Sequence, residues 1–249
     1  MRILIIRHAE PDYANNTLTE KGFREADILG KYLQNEKIDK IFVSSLPRAI
    51  YTADGITRYN KTKTYEICDW LREMDARIDL PYDTGRLSWD LAPTYLNSED
   101  MLFNKDGWKQ VKAMNNTALQ ARVDDLNENF NKTLKNLGYE KNDKIYKAVN
   151  PNHDTVAFVC HFGTESYLLS NLFSVSPIAI SNFTVARTSS VTTLYTEERE
   201  KGEAIFRMAE FGSVYHLLRV GEKPSFLARF DEVYGDGDEA YVKIRNDNR

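Results

Sequence analysis

Two arginines and two histidines stand at matching places in this 249-residue sequence: Arg7 and His8 follow one short apolar run, Arg48 lies just beyond a second, and His161 follows a third. The runs are Ile3 to Ile6, Lys40 to Val43 and Thr155 to Cys160. Short, continuous, β-branched runs of this kind mark strands covered on both faces, as in parallel sheets. Parallel strands bring their carboxyl ends together, and open α/β sheets bind ligands outside those ends. Helices starting there add free N–H groups and positive dipole ends. Such a pocket suits a phosphoryl group, because a guanidinium fork matches phosphate oxygens two at a time. Taken singly, each of the four residues has a simpler structural reading. Their occurrence together at three equivalent junctions points to a site.

The elements that must position them can be read in order. Pro11 and Asp12 end the first strand, and Thr19 is the expected N-cap of a helix through Phe23, Ala26 and Leu33. After the second strand, Ser44 and Ser45 are capping candidates with Pro47 just inside the helix. The inner face of that helix would carry Ala49, Thr52, Ala53 and Ile56. A third strand is expected over Thr64 to Cys68, leading into Trp70-Leu71-Arg72-Glu73. From about 75 to 151 the alternation stops, and aromatic residues (Tyr82, Trp89, Tyr95, Phe103, Trp108) mix with charge. Within this stretch Leu119, Val123, Leu126, Phe130, Leu134 and Leu137 recur at helical steps, with Gly138 as the expected stop. The pattern predicts a helix that packs back on the sheet. A strand and an apolar helix through Leu168, Leu169 and Leu172 then resume the alternation. Ser190 to Tyr195 and Ala204 to Met208 read as antiparallel strands finishing the sheet at its edge, and Gly235 to Asp238 as a hairpin turn, since it lacks the spacing of a calcium loop. The expected fold is α/β: a three-layer α/β/α sandwich with a mostly parallel central sheet and an inserted, largely helical cap. It forms one domain over 1–249, with the insertion at about 75–151.

Composition narrows the function. A hydrophobic content of 42% and a charged content of 28% are those of an ordinary globular chain. The formal net charge of -4 argues against nucleic acid or an anionic membrane as partner, because both demand a broad basic field. Cys68 and Cys160 are too few and too distant for a disulfide framework or a zinc cage, and are expected to be reduced core thiols. No apolar run approaches membrane-spanning length and no export signal is evident. A cytoplasmic protein without metal or cofactor is expected.

The ordered segments Arg7-His8-Ala9-Glu10, Leu18-Thr19-Glu20-Lys21-Gly22, Ser44-Ser45-Leu46-Pro47-Arg48-Ala49 with Thr52-Ala53, Leu71-Arg72-Glu73 and His161-Phe162-Gly163 resemble the signatures of the histidine phosphatase superfamily, the phosphoglycerate mutase-like fold. The resemblance covers nearly the whole chain outside the insertion. It implies a phosphatase that hydrolyses a phosphate monoester through a phosphohistidine on His8. Arg7, Arg48 and His161 would clamp the phosphate, with Phe162 joining them and His8 in the phosphate-binding set. Glu73 would be the general acid and base, although Glu66, Asp69 and Asp75 lie close in sequence; Glu10 is a rim residue or loop anchor. Ala9 and Phe162 stand where glycine and a small residue are common in the family. The longer charged motifs of phosphoglycerate mutases are missing, which favours hydrolysis over mutase-type transfer, and retention of the candidate nucleophile and acid favours it over a non-catalytic regulator that binds phosphorylated ligands. The partner is thus a small phosphorylated substrate. Arg77, Arg86, Trp89 and Tyr95 either recognise it or form the insertion's own core. Oligomeric state has no signal in the sequence.

Overall fold

A computed structural model describes residues 1–225, so the turn expected at Gly235 to Asp238 lies outside the described residues. In chain order the strands are β1 (Arg2–Arg7), β2 (Pro11–Asp12), β3 (Thr17–Leu18), β4 (Lys40–Ser44), β5 (Glu66–Cys68), β6 (Arg77–Leu80), β7 (Asp83–Leu87), β8 (Tyr139–Asn142), β9 (Ile145–Ala148), β10 (Thr155–Cys160), β11 (Val191–Glu200) and β12 (Glu203–Ser213). The helices are α1 (Glu20–Tyr32), α2 (Pro47–Tyr59), α3 (Pro93–Ser98), α4 (Thr117–Asn136), α5 (Phe162–Phe173), α6 (Pro177–Ser181) and α7 (Tyr215–Arg219).

An eight-stranded sheet in the order β5-β4-β10-β1-β11-β12-β9-β8 forms the centre. The β5, β4, β10 and β1 neighbours pair in parallel, whereas the neighbours from β1 through β11, β12 and β9 to β8 pair antiparallel. Among the described residues only β9 and β11 run against the rest, so the sheet is mostly parallel in direction. Alternation along β1 divides the core. Leu4 and Ile6 pack with Leu29, Ala49, Ala53 and Ile56 of α1 and α2. Ile3 and Ile5 face the opposite layer, with Leu126 and Phe130 of α4 and Leu168 of α5. Phe158 anchors that layer, stacked on Phe42 at 5.2 Å between centroids and edge-on to Phe130 at 5.5 Å. The result is the three-layer α/β sandwich expected.

Several local expectations change. The β11 and β12 strands lie inside the sheet, and the β8–β9 hairpin forms its edge. That hairpin alternates over very few residues, with Tyr146 and Ala148 inward, too short a pattern to stand out from its polar surroundings. Thr19 caps α1 by accepting the Gly22 N–H at 2.9 Å. Neither Ser44 nor Ser45 caps α2, whose N-cap is Leu46 with Pro47 at the first turn. Their hydroxyls are engaged elsewhere, Ser44 with His161 at 2.8 Å and Ser45 with Asp69 at 2.6 Å. Helix α4 follows its predicted face, with Leu119, Val123, Leu126, Phe130 and Leu134 buried, and is followed by Gly138 at φ 98°.

Residues 75–138 contain the β6–β7 hairpin, α3, two 3-10 turns and α4. Tyr95 and Trp108 belong to the core, while Tyr82 and Phe103 are exposed. Among the described residues no helix is long and apolar enough to cross a membrane. Cys68 and Cys160 are free and buried.

Helix α2, which carries Arg48, lies unusually close to α1. A Cβ at Gly30 would come within 2.0 Å of the Gly55 carbonyl oxygen. Alanine favours helix by up to about 1 kcal/mol, but the backbone contact leaves it no room. Gly30→Ala is therefore expected to lower stability by about 1–3 kcal/mol, read as a fall in the urea midpoint at unchanged slope.

Candidate active site

The site begins with strand register. Arg7 pairs with Cys160 at the ends of β1 and β10, and the His8 amide donates to the Cys160 carbonyl at 2.9 Å. The next residues on the two strands, His8 and His161, thereby lie side by side, with ring centroids 5.0 Å apart. A loop from 186 to 190 closes around them. Ser189 N–H donates to the His8 carbonyl at 3.0 Å, and Arg7 N–H to the Ser190 carbonyl at 3.1 Å. Ser189 does this with a left-handed backbone, φ 56°. From the other side, the Thr52 hydroxyl accepts the Ala9 N–H at 2.9 Å and donates to the Arg48 carbonyl at 2.7 Å. The backbone after His8 is thus tied to the first turns of α2.

The His8 ring is almost fully buried, with Nδ1 2.8 Å from the Ala9 carbonyl oxygen. A carbonyl only accepts, so Nδ1 carries the proton and the neutral ring presents its lone pair at Nε2. Burial, then Arg48 and Arg7, hold His8 well below its ordinary pKa against the opposing pull of the Ala9 carbonyl. Burial lowers His161 likewise, followed by His8, Arg48 and Arg7. Its Nε2 meets the Ser44 hydroxyl, while Nδ1 is buried without a partner.

Arg7 donates from one terminal nitrogen to the Ala186 carbonyl at 2.6 Å and lies 5.9 Å from the centre of the Phe162 ring. Arg48 lies 5.5 Å from the Tyr13 ring centre. Both Nε atoms are buried without partners, and neither guanidinium forms an ion pair among the described residues. Two uncompensated cations and a neutral imidazole therefore share one end of the sheet, an arrangement that attracts an anion.

Glu73 follows the 3-10 turn Asp69–Leu71. Its Oε1 accepts the Met74 N–H at 2.9 Å and the Thr164 N–H at 3.1 Å. The Arg72 carbonyl accepts the Thr164 hydroxyl at 2.6 Å and an Arg122 N–H at 2.5 Å, tying this loop to α5 and α4. Burial raises the Glu73 pKa against the Met74 N–H, Arg48, Arg7 and the Thr164 N–H. The neighbouring candidates differ, for Glu66, Asp69 and Asp75 are exposed. Glu10 anchors its loop through Thr19 at 2.8 Å.

Sequence reasoning missed several participants. A Cβ at Gly163 would lie 2.6 Å from both Glu73 Oε1 and Trp89 Nε1, so a side chain there would displace the carboxylate and the indole. The place of this glycine directly after His161 and Phe162 was the available signal. Arg122 and the 186–190 loop are distant in sequence, and the loop acts largely through backbone atoms, which leave no trace in residue type. Of the insertion residues, Trp89 borders the site: its indole donates to the Met74 carbonyl at 3.0 Å, and its ring meets Phe162 edge-on at 5.9 Å. Arg86 is paired with Asp90 at 2.9 Å, and Arg77 donates to the Gly85 carbonyl at 3.1 Å. A neighbouring concavity of about 650 Å³ shares Trp89 with the site but is lined by none of Arg7, His8, Arg48 and His161.

Comparison with known proteins is consistent with this geometry. The model of the histidine phosphatase superfamily (branch 1) matches residues 3–206. No curated protein sequence matches significantly. Among solved structures, a phosphoserine phosphatase mutant from Entamoeba histolytica in complex with phosphoserine aligns at TM-score 0.56 and 16% identity, covering 87% of this chain and 98% of that one. A phosphoglycerate mutase from Bacillus anthracis aligns at 0.57 and 17%, covering 89% and 96%. A mycobacterial glucosyl-3-phosphoglycerate phosphatase complexed with VO3 aligns at 0.54 and 17%, covering 85% and 98%. At these identities the likeness is one of fold.

The electrostatics can be checked directly. Nitrogen NMR of the imidazoles should show His8 neutral, with its proton on Nδ1, at and somewhat below pH 6.5, the ordinary histidine value. Arg48→Gln removes a charge that disfavours imidazolium, so the His8 pKa should rise in that variant.

Proposed function

Because the chain belongs to the histidine phosphatase superfamily (branch 1), whose members handle phosphoryl groups through a phosphohistidine, we propose that it is a phosphatase that hydrolyses a phosphate monoester, with His8 as nucleophile. The observation that carries this reading is the fixed tautomer of His8, its Nδ1 held by the Ala9 carbonyl at 2.8 Å beside two arginines without carboxylate partners. His8 Nε2 attacks phosphorus in line, and the bond to the leaving oxygen breaks as Glu73 delivers its proton to that oxygen. Water then attacks the phosphohistidine, giving a proton to the Glu73 carboxylate, and inorganic phosphate leaves with His8 restored.

Arg7 and Arg48 bind the phosphate oxygens and stabilise the charge that spreads over them in the transfer. His161 adds a donor from Nδ1. The Ser44 oxygen lies 2.8 Å from His161 Nε2, and with that hydroxyl donating to the ring the imidazole proton stands on the unpartnered Nδ1. Phe162 supplies an N–H at the start of α5 and a ring beside Arg7.

Hydrolysis is favoured over mutase chemistry by the lack of the mutases' longer charged motifs. A small phosphorylated substrate is supported by neighbours whose structures hold phosphoserine and 3-phosphoglyceric acid. Of the insertion expected at about 75–151, α4 and the β8–β9 hairpin belong to the sandwich itself, so the cap on the single domain is the part before α4, with Trp89 as its edge toward Glu73.

The pH dependence follows from the two shifts. His8 must be neutral and Glu73 protonated for the first step. The lowered His8 value extends the active range downward, and the raised Glu73 value extends it upward. Turnover should therefore fall on the acid side only below pH 6.5, the ordinary histidine value, and on the alkaline side as Glu73 ionises. Glu73→Gln should cost about 10²–10⁴-fold on alkyl phosphates but far less on p-nitrophenyl phosphate, whose leaving group needs no proton.

The decisive experiment uses His8. His8→Ala should lose more than about a thousandfold in turnover of a generic phosphate ester, and rapid quenching of the wild type should trap acid-labile phosphate on this residue. Full turnover by the variant would overturn the proposal. Partition of the phosphoryl group between water and an added alcohol separates hydrolase from transferase.

A further inference from the structure

Buried polar atoms in folded proteins nearly always have partners. Among the exceptions here are Arg7 Nε, Glu165 Oε2 and Ser190 Oγ. They are linked by the chain as well as by burial. The Ser190 carbonyl accepts the Arg7 N–H at 3.1 Å. Glu165 lies in the first turn of α5, its N–H donating to the His161 carbonyl at 2.8 Å, and its carboxyl feels the charge of Arg7.

Glu165 is only 1% exposed, and the proposed reaction gives it no part. The Thr192 hydroxyl donates to Oε1, and the Gly212 N–H from β12 in turn donates to the Thr192 oxygen at 2.9 Å. No ion pair joins Glu165 to Arg7 among the described residues, although Arg7 is its nearest source of positive charge. The charged and titratable groups that face it are Arg7 on β1, Glu73 on the loop before β6, and Cys160 on β10. Burial keeps the Cys160 thiol well above its ordinary range. Burial first, with Glu73 in support, pushes Glu165 up to about 7, against the Thr192 hydroxyl and Arg7.

We propose that Glu165 is a positioning residue that sets the anion affinity of the site through Arg7, partly ionised near neutral pH while the pocket is empty and protonated when a dianion occupies it. The inference rests on the reading of Arg7 as a phosphate ligand. Ionised, Glu165 offsets part of the Arg7 charge. A dianion beside Arg7 uses the same charge, and a buried carboxylate deprived of its compensating cation is costly. The carboxylate then takes one proton from solvent and becomes a neutral acid, with no other bond altered. When phosphate leaves, the proton returns to solvent. Anion binding is thus tightest below neutral pH and weakens as Glu165 ionises.

The test uses sulfate, a dianion that does not titrate in the working range, and the full chain carrying Glu73→Gln, so that the other carboxyl acting on Arg7 is silent. Calorimetry in two buffers of different ionisation heat should show uptake of about half a proton per sulfate near pH 7. Sulfate affinity should fall about tenfold or more from about pH 5.5 to 8.5. Adding Glu165→Gln should abolish the uptake and hold the affinity at its low-pH value throughout. Thr192→Val, which removes the hydroxyl that favours the ionised form, should move the midpoint to higher pH, a shift that a purely structural role for Glu165 would not produce. Sulfate binding with no proton uptake, or a midpoint indifferent to Thr192, would overturn the inference and leave the proposed phosphatase standing. Failure of sulfate to bind at all would remove the phosphate site itself.

Discussion

The parallel pairing of β1 with β10 is the constraint on which the site depends. It places Arg7 opposite Cys160 and so sets the two histidines next to each other at the strand ends. A slip of one residue would turn every side chain of β1 to the other layer, and the core forbids it. Leu4 and Ile6 are matched to α1 and α2, Ile3 and Ile5 to α4 and α5. The packing of four aliphatic side chains is thereby converted into the position of an imidazole. From that point the backbone takes over: Cys160, Ser189 and Thr52 hold the atoms on either side of the His8 ring, and the Ala9 carbonyl selects its tautomer.

What the pairing assembles is electrostatically unfavourable by itself. Two histidines are held well below their ordinary pKa, the guanidinium groups of Arg7 and Arg48 form no ion pair among the described residues, and two carboxyls, Glu73 and Glu165, are raised by burial. Unpartnered buried charge costs stability, and this region is held in place by the rest of the fold. A bound anion would satisfy most of these groups at once. The same imbalance that costs folding free energy therefore supplies binding energy, which is how a preorganised pocket acts without rearranging at the moment of reaction.

The sequence made the fold legible where burial is two-sided. The apolar runs of β1, β4 and β10 specified the parallel half of the sheet and the positions of Arg7, His8, Arg48 and His161, although β1 leads into the short β2–β3 pair and only β4 and β10 lead promptly into helices. The β8–β9 hairpin was hidden because a few alternating residues in a polar stretch carry little periodicity, and its omission moved β11 and β12 wrongly to the edge. The serines before α2 illustrate another limit: a capping pattern was present, but the hydroxyls bond to His161 and Asp69 instead. Ser189, Ser190 and Ala186 were illegible because their contacts to the site use the main chain. Nothing in residue type or spacing sets Glu165 apart from any acid at a helix start; its burial does.

The first turn of α5 carries more than one of these functions. His161 precedes it, Gly163 leaves the space that Glu73 and Trp89 fill, Thr164 gives Glu73 a hydrogen bond, and Glu165 faces Arg7. Three of these residues are thus tied to Glu73, Trp89 and Arg7, which lie in three different parts of the chain. Substitutions in that turn are coupled, so drift there requires compensating changes elsewhere and should be slow. The walls of the neighbouring concavity, formed by residues 86–103 and 181–183, meet this turn at Trp89. One tryptophan is therefore common to the proposed phosphate site and the concavity beside it, and a change at that residue is felt by both.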